Sequence, residues 1–302
     1  MKKIEYSVII LNYNTYDDTV IAIESVINNA ICDDYVICMV DNNSSKDIDK
    51  LKQLNYSHLD KLFLSENQGY AIGNNKGIEY TNTKYSPNYI VIMNPDVKIL
   101  TKGTIENLIR EIKTYGNNVC GIIPLIWSVK ESNNPFTQIT AFSAPNYKKF
   151  FIQSGGIFKF IFKNTYKKLT YLDHIPYQEN FFAEAVSGAF FIVKTKNFKE
   201  IGYFDNRTFL YGEERIIGYK FKNMGKSFVV CPKYIVQHEC GNSTGKVFKK
   251  ISYKSYKRHL ESDIIYIRDI LKESRIKIIV WQLYSYINFL LKKCYYFYKN
   301  NF

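Results

Sequence analysis

Three apolar runs rich in β-branched residues each break off at a cluster of Asn and Asp, and this repeated punctuation restricts the chain more than any other feature. Tyr6 to Leu11 stops at Asn12 and Asn14, Val36 to Val40 at Asp41 to Ser44, and Tyr89 to Met93 at Asn94 to Asp96. Short apolar runs bounded by turn formers read as buried strands. A further strand is expected over Lys61 to Ser65. Helical patterns separate them: residues 16–29, with Val20, Ile23, Val26 and Ile27 behind Asp17 and Asp18 in the first turn, and Ala71 to Tyr80. Strands alternating with helices predict an α/β fold, a mostly parallel sheet flanked by helices. Ligands on such sheets bind beyond the carboxyl ends of the strands. One polar cluster alone reads as turn chemistry; three in register predict a shared pocket.

The pattern continues with a helix over Thr104 to Tyr115, strands over Val119 to Pro124, Ser187 to Lys194 and Ser227 to Cys231, a short helix over Asn197 to Gly202, and a helix ending near Gly225. Residues 128–182 lack a clean period, carry Pro135, Pro145 and Pro176, and read as a long functional excursion. The 302 residues, 46% hydrophobic, are enough for one large or two modest domains. Six cysteines without a CxxC pair and an amino terminus without an apolar signal core predict a reduced, cytoplasmic chain. A net charge of +13 favours polyanionic partners such as nucleotides, pyrophosphates or anionic lipid. No nucleic-acid motif accompanies it, so nucleic acid is not an expected partner.

Several carboxylates stand where chemistry can use them. Asp41, at a strand end, can accept a hydrogen bond from the imide of uracil or thymine. Asp96, fixed by Pro95, can bind Mg²⁺ or Mn²⁺, hard cations often held by one or two carboxylates plus substrate phosphates. His238 is either a further metal or phosphate ligand or a packed surface residue. Adjacent Glu213 and Glu214 raise each other's pKa where water is excluded, which suits a general base. The alternative is an acid-decorated helix start.

Taken together, the motifs resemble the family 2 glycosyltransferases of the GT-A fold, nucleotide-diphospho-sugar transferases of Rossmann-like architecture. The rhamnosyltransferase-like branch of bacterial surface polysaccharide synthesis is the most similar. SVIILNYN at 7–14 resembles the family's opening strand and DNNSS at 41–45 its base-binding loop. ENQGYAIGNNKGI at 66–78 resembles its Gly- and Asn-rich segment, and MNPDV at 93–97 a variant of its aspartate metal motif. SGAFFIVK at 187–194, IGYFDNRTFLYGEE at 201–214 and CPKYIVQHECGNST at 231–244 follow in family order. The resemblance implies an inverting, metal-dependent hexosyltransferase. Asn12, Asn14, Asp41, Asn43, Gly69, Asn74, Asn75, Asn94 and Asp96 would bind a UDP- or TDP-sugar. Asp96 and His238 would hold Mn²⁺ or Mg²⁺, Ser187 and Gly188 would line the acceptor side, and Glu214 or Glu213 would act as base. In the family the base is usually Asp, followed two residues on by a further acid; here Glu214 is one methylene longer and Ile216 replaces that acid.

These motifs imply a catalytic domain over 1–245, with a nucleotide half to about 125 and an acceptor half over 126–245. A basic, aromatic helical extension over 246–302 follows. In the extension, Lys277, Gln282, Ser285, Asn288 and Lys292 fall in one helical sector, and apolar residues including Ile279, Leu283 and Leu291 elsewhere. Too many polar residues interrupt it for a span, so it is expected to lie in a membrane interface or to pack on the catalytic domain or in a homodimer. The resemblance favours the membrane, with acceptors that are glycans or sugars on polyprenyl diphosphate, at the inner face of the bacterial cell membrane. Two other readings remain. A sugar nucleotidyltransferase would need a Gly-rich, Arg-containing loop where Asn12, Tyr13 and Asn14 stand. A degenerate, glycan-binding relative rests on Glu214 and Ile216.

Overall fold

The computed structural model describes residues 2–128, 134, 138–239 and 252–301, with side chains up to 295. The amino-terminal part runs β1 (Ile4–Asn12), α1 (Tyr16–Asn29), β2 (Tyr35–Asp41), α2 (Ile48–Gln53), β3 (Leu59–Phe63), α3 (Gly69–Tyr85) and β4 (Pro87–Met93). Next come β5 (Val97–Ile99), α4 (Thr104–Ile112), β6 (Val119–Trp127) and β7 (Ala141–Phe142). The middle excursion holds α5 (Tyr147–Gln153), α6 (Ile157–Ile161) and α7 (Lys163–Leu169). The sheet is completed by β8 (Phe181–Ala183), β9 (Ala185–Val186), β10 (Phe190–Lys194), α8 (Thr195–Glu200), α9 (Glu213–Asn223) and β11 (Ser227–His238). The chain ends with α10 (Tyr253–Ile265), a π-helical turn (Tyr266–Ile270) and α11 (Arg275–Asn301).

Among the described residues the main sheet has the order β3-β2-β1-β4-β10-β6-β11-β5, with β8 also pairing β11. The strands β3, β2, β1 and β4 are parallel; β10 runs against β4 and β6, and β6 is parallel to β11. The sheet is therefore mostly parallel and flanked by helices, as the alternation predicts. Every residue of β2 is buried, the signature of a parallel strand covered on both faces. On α4, Ile105, Leu108, Ile109 and Ile112 bury one stripe at helical spacing.

The differences from expectation have local causes. Strand β3 begins two residues early because it pairs in register with β2, Asp41 opposite Phe63. The expected strand over Ser187 to Lys194 starts only at Phe190; residues 185–186 pair β7 instead, and 187–189 turn. The last strand continues past Cys231 through a register shift before Ile235, where Pro232 lacks a ladder donor. That extension carries His238 to a position opposite Val97 of β5. The expected division at 245 lies outside the described residues. Strands from both expected halves share one sheet, since β10 sits between β4 and β6. Cys32, Cys38, Cys120, Cys231 and Cys294 are free.

Candidate active site

The polar rim begins where β1 and β2 end side by side, Asn12 opposite Asp41. Both are wholly buried and bonded to one another: Asn12 Nδ2 donates to Asp41 Oδ1 at 2.6 Å and to Ser44 Oγ at 3.0 Å. Ser44 donates to both oxygens of Asp41, through Oγ to Oδ1 and through its backbone N to Oδ2. Asn12 Oδ1 accepts from Thr15 and Thr19. Asn14, in left-handed backbone at φ 57°, accepts at Oδ1 from the backbone N of Ser45 and Lys46. The four residues lock the loop that follows β2, with Asn43 exposed at its tip.

Asn42 joins this loop to the start of α3. Its Nδ2 donates to Asn67 Oδ1 and to the Gly69 carbonyl, and its Oδ1 accepts from the Gln68 backbone. Gly69 has φ +86°, and a Cβ there would stand 2.4 Å from the Phe209 carbonyl oxygen, so no other residue fits. The next residue, Tyr70, takes its backbone bond to that same carbonyl and donates its hydroxyl to the Gly188 carbonyl at 2.9 Å. A Cβ on Gly188 would lie 3.0 Å from Glu214 Cγ, so the 187–189 turn and the start of α9 meet there.

Asp96 approaches the same centre from β4. Its backbone carbonyl accepts from Glu239, which seats it against the end of β11. Its buried Oδ1 takes no hydrogen bond and lies 3.2 Å from His238 Nε2. A buried carboxylate oxygen left open beside an imidazole nitrogen fits a ligand pair for a hard divalent cation. No group of three or more His, Cys, Asp or Glu suited to a metal occurs among the described residues.

The phenol of Tyr70 lies among acids of the same rim. Burial raises its pKa well above the usual range, and the negative charges that add to this are Glu214, Glu213 and Asp96, in that order. Burial, then the adjacent Glu214 charge, pushes the Glu213 carboxyl up to about 8, and Glu213 Oε1 has no hydrogen-bond partner. Glu214 is also raised by burial, but backbone N–H groups at the start of α9, the Arg215 charge and the Gly188 backbone pull it back. Burial thus raises both carboxyls, and the pair shares its protons as one unit rather than carrying two full charges.

A clamp from the carboxyl-terminal helices holds this acid pair. Ser262 donates to the Leu210 carbonyl at 3.0 Å, the His259 ring stacks on Tyr211 at 3.6 Å, and Arg258 lies over Phe209. Arg215 bonds Asp263 at 3.0 Å and lies over the rings of Phe150 and Tyr266, while Arg207 bridges Asp205 and Asp269. Ile216 is buried in a cluster with Phe150, Tyr266, Ile267 and Trp281. An acid at 216 would have to be desolvated within that apolar cluster, which fits the apolar Ile found there.

Of the expected site residues, Gly188 bonds Tyr70, Glu214 packs on Gly188 next to Glu213, Asp96 lies beside His238, and Asp41 reaches Tyr70 through Asn42 and Gly69. Asn75 is turned elsewhere: it bonds Phe204 and Asn206 at both ends of its amide and pins the 204–206 turn. Buried Asn74 donates to the Tyr70 carbonyl, and Asn12 is enclosed, so both shape the rim rather than face it. Ser187 Oγ accepts from the Ala189 backbone and rounds the turn, and the Asn94 backbone bonds the Ala189 carbonyl. Sequence reading passed over Asn42, although it lies within the DNNSS string, and over Tyr70, whose position next to Gly69 was the available signal. The α10 contacts had no local signal. An open depression lined by Cys32, Asp33, His58 and Lys102 lies at the opposite, amino-terminal ends of the strands.

The sequence profile described as Glycosyl transferase family 2 matches residues 7–181. No curated protein sequence matches the chain. GalNAc-T7, solved with UDP, GalNAc and Mn²⁺, superimposes with a TM-score of 0.61 at 14% identity, over 89% of this chain and 49% of that one. The mannosyltransferase PcManGT from Pyrobaculum calidifontis, with GDP-Man and Mn²⁺, gives 0.59 at 10% identity, over 91% and 66%. S. aureus TarS 1–349 with UDP-GlcNAc gives 0.55 at 15% identity, over 88% and 67%. At these identities the likeness is one of fold, and the chain spans about half the length of the GalNAc-T7 chain.

Proposed function

Because the chain belongs to glycosyl transferase family 2, we propose that it transfers a hexose from a UDP- or TDP-sugar to an acceptor hydroxyl with inversion at the anomeric carbon. The observation that carries this reading is Glu214 packed against Gly188, whose carbonyl takes the Tyr70 hydroxyl, in a turn that the Asn94 backbone joins to the Asp96 loop at the end of β4. Glu214 takes the acceptor proton; burial raises its pKa toward a base's working range, while backbone N–H groups and Arg215 oppose that rise, and Glu213 beside it shares the pair's proton. Asp96 and His238 would hold Mn²⁺ or Mg²⁺, which when bound neutralises the leaving diphosphate. The loop locked by Asn12, Asp41 and Ser44 presents Asn43 and its backbone to the base, and Gly188 keeps the acceptor side open to close approach. The resemblance of the motifs extends the reading to a rhamnosyltransferase-like enzyme of capsule or O-antigen synthesis. Its catalytic domain is 1–245, and its acceptor a glycan or a polyprenyl-diphosphate-linked sugar at the inner face of the membrane.

The test is a panel of UDP- and TDP-hexoses with Mn²⁺, read by thermal shift and by donor turnover. Asp96→Ala is expected to abolish metal-dependent donor stabilisation. Glu214→Gln should keep donor binding and lower transfer and slow donor hydrolysis by about 10²- to 10⁴-fold; full transfer in that variant would move the base to Glu213. A second reading, a glycan-binding subunit that has lost transfer, draws on Ile216 standing in place of an acid. It requires donor binding with no hydrolysis by the unaltered protein.

A further inference from the structure

Helix α11 carries a second apolar face besides the one it buries. A surface helix ordinarily buries its apolar stripe and turns polar residues outward. Here Trp281, 1% exposed, packs against Phe150 and Phe151. Tyr284 bonds the Phe151 and Gly155 carbonyls, and Asn288 comes so close to α6 that a Cβ on Gly156 would stand 2.2 Å from its Oδ1. Phe289 is buried against Tyr256. Trp281, Tyr284, Asn288 and Phe289 thus face the protein. The aliphatic residues Ile276, Val280, Leu283, Ile287, Leu290 and Leu291, spaced at three and four, form one continuous solvent-facing arc. Ile276 is 74% exposed, and α6, along the Tyr284 and Asn288 edge, adds Phe160 at 81% and Ile161 at 62%.

The charges around this arc are mostly basic, although Lys277 pairs with Glu273 one turn before it. Residues 275–301 contain Arg275, Lys277, Lys292, Lys293 and Lys299 and no acid, and residues 147–169 contain six lysines and no acid. On the helical wheel Arg275 and Lys293 flank one edge of the arc and Lys277 the other. Basic side chains along the margins of an apolar stripe suit phosphate headgroups, with the aliphatic arc in the acyl boundary. A second copy of the chain would bring the same basic margins together, which the net charge of +13 opposes. Among the described residues no helix is long and apolar enough to cross a membrane.

We propose that the aliphatic arc of α11 and the exposed tip of α6 together form a docking surface for an anionic lipid bilayer, with the helix lying along the interface. The surface is independent of the transfer reading, and its test uses no turnover. The full chain is sedimented with large unilamellar vesicles of phosphatidylcholine alone or mixed with phosphatidylglycerol, at low and high salt. Binding at least tenfold stronger to the anionic vesicles is expected, weakened by salt. Leu283→Glu with Ile287→Glu should lower it at least tenfold, as should Phe160→Ser with Ile161→Ser. Both double variants should melt as the unaltered protein does, since these side chains face solvent. Binding unchanged in the variants would overturn the proposal. So would an unaltered chain that ignores vesicles and forms a dimer that Leu283→Glu with Ile287→Glu dissociates; a second copy would then be the occupant.

Discussion

Glu213 sits at a helix start, buried to 3% exposure, with a carboxylate on the next residue. Its raised pKa has a consequence for stability separate from catalysis. Between the ordinary glutamate value and about 8, the unfolded chain has released this proton while the folded chain still holds it. Stability contributed at this site therefore falls as pH rises through that window and levels off above it. Glu213→Gln removes the penalty. The variant is expected to melt higher than the unaltered protein at pH 8 to 9, by on the order of a few degrees, with the difference vanishing near pH 4. Calorimetric scans across that range check the sign; a variant less stable at pH 9 would show that the site favours the charged form. The residue-level assignments that sequence made at Asp96, His238, Glu213 and Glu214 rest on strand ends and an acidic pair, which are local signals. Asn12, Asn74 and Asn75 carry the same local signal, yet the fold commits each to internal hydrogen bonds. An Asn that locks a loop and one that faces a ligand are indistinguishable until their partners are known.

Elements, taken whole, show where pattern was sufficient and where it was not. The spans of α1 and of the first two strands follow from periodicity and punctuation, because each is set by its own residues. Helix α3 was only faintly legible. Besides Ile78 it buries mainly small residues, Ala71, Gly73 and Gly77, since it lies close on β1 and β2, where a Cβ on Gly77 would be 2.7 Å from Val40. Helix α10 was not legible as a part of the site at all. Through Ser262, His259 and Asp263 it grips the loop that ends in Glu213 and Glu214. Asp263→Asn is accordingly expected to lower kcat at least tenfold with the donor Kd little changed, and to cost about 3 kcal/mol of stability by leaving Arg215 half-buried without its partner. A loss confined to stability, with kcat intact, would reduce α10 to scaffolding.

At the scale of the whole molecule, the carboxyl-terminal helices belong to the catalytic body. Trp281 from α11 stacks on Phe150 at 4.3 Å, and Phe150 in turn carries Arg215 beside the acid pair. Trp281→Ala is expected to destabilise the full chain by about 3–5 kcal/mol in chemical denaturation. A value near zero would mean that α11 is a loosely attached tail. What the sequence determined by itself is the alternation of strand and helix, the polar strand ends, the acid pair and the amphipathic character of α11, because each is written in residues near one another along the chain. Tertiary structure alone decided which way α11 turns its aliphatic arc, which asparagines are consumed inside the rim, and how a sheet strand, a glycine turn and a distant helix bring Asp96 and Glu214 to that rim. Periodicity defines the faces of an element, but which face is covered depends on the volume and polarity of whatever packs against it, and those neighbours lie far away in the sequence.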